Sequence, residues 1–209
     1  NVRMAPVCVA CVPTRWQADV KSVSRRPLGG LTRTWQRIEP TARHAGSMTA
    51  ETSVCYRTWR TELWLSLRAE PTPALTRWLA SLLHDEADAL DLLASRFRPD
   101  STSSAVSRNA GRWTPVAWDF VEVLTAALEA AGATGGFVDP LLGRAVVAAG
   151  YDTWAGQDSG IQPGGAAGDW REIEVRGGRT GAQVRIPPGT ALDLGAGAKC
   201  WLADRLATV

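Results

Sequence analysis

A long amphipathic pattern at residues 72–97 limits what this 209-residue chain can fold into. Apolar residues recur there mostly at steps of three and four, which predicts a helix with one buried face. Thr72 and Pro73 supply an N-cap and a first-turn proline. The apolar positions are Leu75, Trp78, Leu79, Leu82, Leu83, Ala87, Leu90 and Leu93. Residues 62–68 alternate partly and predict a strand before this helix.

Two further helices are predicted by similar start signals. Thr114 with Pro115 precedes a helical pattern at residues 116–131, and Asp139 with Pro140 precedes a shorter one at 141–149. The polar, Ser-rich residues 98–111 between the first two helices are interpreted as a loop. Three short strands are then predicted at 170–176, 183–186 and 190–194, followed by a helix through Arg205. Hairpin strands and packed helices in this order favour an α+β fold.

The charge is distributed unevenly along the chain. Residues 1–47 hold eight Lys or Arg and two Asp or Glu, whereas residues 48–209 hold 15 and 19. The first stretch has no sustained period, and we expect a basic, disordered leader before Met48. Its Cys8 and Cys11 form a CxxC, but no second pair completes a zinc site, so we interpret these cysteines as incidental. A basic arm that contacts nucleic acid is the less favoured alternative.

Most other polar groups are typical of a solvated surface. The acidic residues of the first predicted helix lie largely on its polar face, and His84 beside them is interpreted as a surface histidine. The chain has two histidines and no paired metal-binding histidines, so no catalytic residue can be assigned from a nucleophile–base pattern. No run approaches the roughly 18 apolar residues of a membrane-spanning helix.

One segment has a composition suited to binding an anion. Residues 193–199 form a predicted strand-to-helix turn with two glycines, Asp193 and Lys199. Free amides at a helix start favour phosphate, and the lysine would add a positive charge. The spacing fits neither a Walker loop nor a Rossmann fingerprint, so an ordinary tight turn is the alternative interpretation.

Several segments, taken in order, resemble the ApbE family of FAD:protein FMN transferases. The string LDLGAGAKCWLAD at residues 192–204 resembles the family's LDLGGIAKGYAVD, and SRFRPDS at 95–101 matches the start of its SRFRPDSELSRLN. The other similar segments are TWRT at 58–61, WTPV at 113–116, TGGFVDP at 134–140 and GYD at 150–152. The resemblance covers residues 56–209 and implies an α+β, ApbE-like domain related to the T-fold at residues 48–209.

Members of this family bind FAD with Mg²⁺ and transfer FMN to a threonine hydroxyl of an acceptor protein. The resemblance therefore implies FAD as substrate, Mg²⁺ as cofactor and an acceptor flavoprotein as partner, with no nucleic acid. The implied FAD-contacting residues are Trp59, Phe137, Val138, Asp139, Asp193 and Lys199. The carbonyl of Ala196 is the implied magnesium ligand, and Asp204 is expected to have a structural or site-ordering role.

Four of the departures of this chain from the family pattern replace residues with distinctive chemistry or conformation. Arg60 and Cys200 replace family glycines, Thr102 replaces an acidic residue, and Ser107 replaces the Asn. If the position of Cys200 needs close packing, the substitution costs about 1 kcal/mol or more.

The resemblance also stops before the family's second half. That half carries the remaining Mg²⁺ ligands, so we expect a domain truncated on its C-terminal side, with little or no catalysis by these 209 residues. A non-catalytic FAD- or nucleotide-binding homologue is the alternative. No convincing signal peptide is seen, and both a cytoplasmic and a membrane-associated or exported location stay open.

Overall fold

A computed structural model describes residues 8–13, 50–59, 61–151, 153–154, 157–158, 160–164 and 168–208. The chain divides into two compact units, one of Asn1–Asp85 with Ala203–Val209 and one of Glu86–Leu202. Both combine helices with antiparallel strands, as the α+β prediction requires. In the described part of the chain, no helix has the length and apolar character needed to cross a membrane.

The first unit contains a three-stranded antiparallel sheet in the order β1-β3-β2. Its strands are β1 (Cys8–Pro13), β2 (Thr52–Thr58) and β3 (Thr61–Leu67). Leu63 and Leu65 alternate on the buried face of β3, which confirms the predicted strand within one residue. Thr58 pairs with Thr61, so the hairpin turns at residues 59–60.

Strand β1 differs from the expectation of a leader without regular structure. Cys8–Pro13 pairs with β3 along its whole length, and its valines favour extended backbone. The rest of the leader lies outside the described residues, so the prediction of a disordered leader stays a prediction there. Met48, Arg60 and Asp152 also lie outside the described residues.

Helix α1 (Pro73–Ala94) begins where its sequence predicts. Thr72 Oγ1 accepts a hydrogen bond from the Leu75 N–H at 3.1 Å, which is the expected N-cap. Its apolar stripe is buried at Leu79, Leu83, Ala87 and Leu90. The helix ends three residues before Phe97, where the chain turns.

The second unit continues with helix α2 (Thr102–Arg108), whereas the Ser-rich sequence here predicts a loop. That prediction was wrong because Ser101 caps the helix: its Oγ accepts a hydrogen bond from the Ser104 N–H at 3.0 Å. Val106 of this helix is buried. Serine-rich sequences have low helix propensity, so α2 forms because of its packing and its N-cap.

Thr114 and Pro115 belong to strand β4 (Thr114–Val116) and do not cap a helix, which corrects the second start signal. β4 is an edge strand of the sheet β4-β8-β7, where a proline is tolerated. Helix α3 (Trp118–Ala133) follows it, with Phe120, Val123 and Leu124 buried.

The remaining elements end at helix α5, on which the candidate site is built. They are α4 (Gly143–Ala148), β5 (Thr153–Trp154), β6 (Gln157–Asp158), β7 (Glu174–Arg176), β8 (Ala182–Arg185) and α5 (Gly195–Ala207). Trp170–Glu172 is a short 3-10 helix and not the start of the predicted strand. The strand predicted at residues 190–194 is reduced to one parallel bridge between Ala191 and Leu142, because this segment runs beside α4 and not along the sheet.

Candidate functional site

A pocket of about 320 Å³ opens in the second unit beside the first turn of α5. Four parts of the chain line it: helix α3, the loop after α3, helix α4 with the residue before it, and the turn into α5. Its lining residues are Ala127, Phe137, Val138, Asp139, Pro140, Leu142, Val146, Asp193, Gly195, Ala196 and Gly197. The predicted residues Phe137, Val138, Asp139, Asp193 and Ala196 are therefore close together, although more than 50 positions separate the first from the last.

Asp193 is held on both of its carboxylate oxygens. Oδ1 accepts a hydrogen bond from the Gly195 N–H at 2.9 Å, and Oδ2 accepts from Arg96 Nε at 3.1 Å. Arg96 is 8% exposed, so this ion pair is largely removed from water. The Asp193 N–H donates to the Pro140 carbonyl at 2.9 Å, which joins the turn to the loop on the other side of the pocket.

Lys199 lies one helical turn beyond Gly195 and folds back towards the helix start. Its Nζ donates to the Gly195 carbonyl at 2.8 Å. The ammonium group therefore lies near the positive end of the α5 dipole, an arrangement that favours an anion at the same place. An ammonium has three donors, so this contact leaves Lys199 able to bind a further acceptor.

The loop after α3 presents Phe137, Val138 and Asp139 to the pocket. Gly135 and Gly136 have φ of 63° and 92°, a conformation that favours glycine and turns the chain away from α3. Thr134 Oγ1 accepts from the Val138 N–H at 3.0 Å, and Asp139 Oδ1 accepts from the Leu141 N–H at 2.8 Å. Phe137 is 94% exposed at the pocket edge. An exposed aromatic ring on a fixed loop is available to stack on a planar ligand.

Two glycines allow the site's elements to approach closely. A Cβ on Gly143 would lie 2.7 Å from the Ala191 carbonyl oxygen, and one on Gly197 would lie 3.0 Å from Ala127 Cα. Gly143 thus permits α4 to cross directly over the segment before α5, and Gly197 permits α5 to pack against α3. Cys200 lies within α5 with an exposed side chain, so close packing does not oppose it.

Trp59 and Asp204 belong to the first unit. Trp59 is a turn residue between β2 and β3 with φ of 50°, a left-handed conformation that is unusual for tryptophan. Asp204 is exposed on α5. Their expected roles stay predictions.

The pocket offers oxygen donors of the kind that Mg²⁺ prefers. These are the carboxylates of Asp139 and Asp193 and the backbone of Ala196. Nowhere in the described ranges do three or more His, Cys, Asp or Glu side chains cluster as a metal site. Mg²⁺ is often bound by one or two carboxylates together with substrate phosphates, and the donors here fit that mode.

The sequence matches the family model described as the ApbE family over residues 54–209. The chain belongs to the ApbE family. No curated protein matches it. Among solved structures it is similar to the ApbE protein of Thermotoga maritima, with 17% identity and a TM-score of 0.60 over 75% of this chain and 51% of that one.

Two flavin transferases give similar values. ApbE of Vibrio cholerae matches at 18% identity and a TM-score of 0.56, over 77% of this chain and 53% of that one. The flavinyl transferase ApbE of Pseudomonas stutzeri, in its apo form, matches at 17% and 0.54, over 77% and 54%. At these identities the structures establish the fold, which confirms the ApbE-like fold class. The chain spans about half the length of these structures.

Several residues of the site were not predicted from the sequence. Arg96 is part of a matching segment, but nothing in its spacing pairs it with Asp193, 97 positions away. Pro140, Leu142 and Val146 line the pocket as apolar wall residues. The helical period of α4 was the one signal that could have indicated Leu142 and Val146, which are four residues apart.

Proposed function

We propose that this chain is part of an FAD:protein FMN transferase and binds FAD in the pocket beside α5. The reaction transfers FMN from FAD to a threonine hydroxyl of an acceptor protein. The threonine oxygen loses its proton and bonds to the FMN phosphorus, while the bond from that phosphorus to the bridging oxygen breaks and AMP leaves with this oxygen. The observation that carries the proposal is the convergence of Asp193, the α5 start and the 137–139 loop on one pocket in a member of the ApbE family.

Electrostatics at the start of α5 support a pyrophosphate ligand. The first-turn N–H groups of a helix lack intrahelical partners. The Gly195 N–H donates to Asp193, and Ala196 and Gly197 of the same turn also line the pocket. Lys199 adds a positive charge beside Gly195. Phosphoryl transfer depends mostly on positioning and on neutralising charge, and these groups can supply both.

The exposed ring of Phe137 suits an aromatic part of FAD. Stacking of a planar ring on an aromatic side chain contributes about 1–3 kcal/mol for a nucleic-acid base. Val138, Leu142 and Val146 would provide an apolar wall for the same ligand. Asp139 and Asp193 would accept hydrogen bonds from its hydroxyl or N–H groups.

We propose Mg²⁺ as the cofactor. Asp139, Asp193 and the Ala196 carbonyl are the candidate ligands in this chain. When bound, Mg²⁺ would neutralise charge on the pyrophosphate oxygens.

Flavin binding tests the proposal first. We expect FAD to bind the chain with quenching of flavin fluorescence, and to be displaced by excess ADP. Absence of saturable binding, with and without Mg²⁺, would contradict the proposal.

A second assay separates transferase activity from the non-catalytic alternative, which remains a candidate because the chain spans about half of the similar structures. The protein is incubated with FAD, Mg²⁺ and a peptide that contains an acceptor threonine. If the peptide becomes flavin-fluorescent, the result supports transferase activity and contradicts the non-catalytic alternative. FAD binding without peptide labelling supports a flavin-binding homologue.

A further inference from the structure

The segment before α5 is held by side chains that come from about 90 residues earlier in the chain. Arg96 Nε donates to Asp193 Oδ2 at 3.1 Å, and the Leu192 N–H donates to Ser107 Oγ at 3.0 Å. Leu192 is fully buried, and Asp193 beside it lines the pocket. Two consecutive residues are thus fixed by two separate side chains.

Arg96 is itself fixed in place. Its guanidinium lies 4.0 Å from the centre of the Phe97 ring, and it is 8% exposed. A buried guanidinium has few alternative partners, so the carboxylate that it contacts is tightly restricted in position. The Gly195 N–H restricts the other oxygen of Asp193.

Ser107 satisfies a backbone group that would otherwise have no partner in the core. A buried N–H without an acceptor is strongly unfavourable, so Leu192 gains its position from this hydroxyl. Ser107 is the residue that stands where the family's sequence has Asn, and serine oxygen performs the accepting role here.

We propose that Arg96 and Ser107 are positioning residues of the flavin pocket. They act through Asp193 and Leu192 and hold the turn into α5 in the arrangement that receives the ligand. This inference rests on the proposed function for its effect on FAD. Its effect on the turn can be measured without FAD.

The first test compares two serines of α2. Ser107→Ala should raise the amide exchange rate of Leu192 about tenfold or more, measured by NMR, and should weaken FAD binding by about tenfold. Ser107→Thr keeps the hydroxyl and should restore both values. Ser103→Ala is the matched control, because Ser103 Oγ is buried and has no hydrogen-bond partner among the described residues. This variant should leave both values unchanged.

The second test asks whether Arg96 acts through Asp193. Arg96→Gln should weaken FAD binding about tenfold in the wild-type background and have almost no further effect in an Asp193→Asn background. Additive losses would show that Arg96 does not act through Asp193 and would overturn its assignment.

The outcomes distinguish this inference from the proposed function. If wild-type protein does not bind FAD, the proposed function fails, and exchange at Leu192 still tests the contact from Ser107. If FAD binds but Ser107→Ala changes neither exchange nor affinity, the positioning role of Ser107 is wrong.

Discussion

Lys199 Nζ donates to the carbonyl oxygen of Gly195 at 2.8 Å, so the ammonium group lies at the start of its own helix. A lysine side chain in a helix usually extends into solvent, and a cation is unfavourable near a helix N-terminus. Lys199 instead adds positive charge beside the amides that line the pocket. A bound anion would compensate both sources of positive potential.

Replacing Lys199 with Gln should therefore weaken FAD binding about tenfold, because a charge-assisted hydrogen bond contributes about 1.5–3 kcal/mol. The dependence of the Kd on salt concentration should also decrease. Fluorescence titration at two ionic strengths measures both effects. Arg112→Gln removes a positive charge from an exposed loop and is the control. Equal losses of FAD affinity in the two variants would show that the net charge of the protein, and not the position of Lys199, determines the affinity.

The Phe137 ring should contribute to ligand binding and not to stability, because 94% of the residue is exposed. We expect Phe137→Ala to weaken FAD binding about tenfold and to reduce flavin fluorescence quenching. The urea midpoint should not change. Val175→Ala removes another exposed apolar side chain, on β7, and should leave FAD binding intact. Lower stability of Phe137→Ala with unchanged affinity would contradict this role.

Local patterns in the sequence predicted the elements that depend on local interactions. The period of α1 and its Thr72 cap, and the alternation of β3, indicate one buried face each, and the structure has both. Helix α2 was missed because its stability comes from Ser101 and buried Val106 and not from helix propensity. β4 was missed because its pairing partner β8 lies about 70 residues away.

The residues of the site could be predicted only from the resemblance to the ApbE family. Motif order indicated Asp193 and residues 137–139, and one pocket contains them. The contacts of Arg96 and Ser107 with the turn join positions 97 and 85 residues apart. No period or spacing in a single sequence encodes such pairs. They follow from how the segment after α1, helix α2 and the turn pack together.

Gly143 should tolerate no side chain. A Cβ there would lie 2.7 Å from the Ala191 carbonyl oxygen and 2.8 Å from that of Leu192, and both belong to backbone. We expect Gly143→Ala to lower the free energy of unfolding by about 1–3 kcal/mol in urea denaturation, and to weaken FAD binding. Gly178→Ala is the control, since a Cβ there meets no atom within 4 Å. Equal stability of the two variants would contradict this close approach.

The two described free cysteines should differ in reactivity. Burial, with a smaller contribution from the negative charge of Glu62 and against the opposing charge of Arg57, raises the pKa of the Cys55 thiol to about 11. Only about 0.1% of Cys55 is then thiolate at pH 8, because the thiolate fraction falls tenfold for each pH unit below the pKa. Cys200 is exposed on α5.

Thiol labelling at pH 8 in a Cys8→Ser, Cys11→Ser background should therefore modify Cys200 first. Labelling of Cys55 should accelerate as pH rises towards 11. Peptide mass spectrometry identifies the modified residue. Faster modification of Cys55 than of Cys200 at pH 8 would show that the burial of Cys55 is wrong.

Hydrogen exchange measured by mass spectrometry, with and without FAD and Mg²⁺, shows whether the pocket beside α5 binds FAD. We predict slower exchange with FAD in peptides covering residues 134–143 and 192–199, and unchanged exchange in the β7–β8 hairpin. Unchanged exchange in both pocket segments at saturating FAD, or protection confined to other segments, would contradict FAD binding in this pocket.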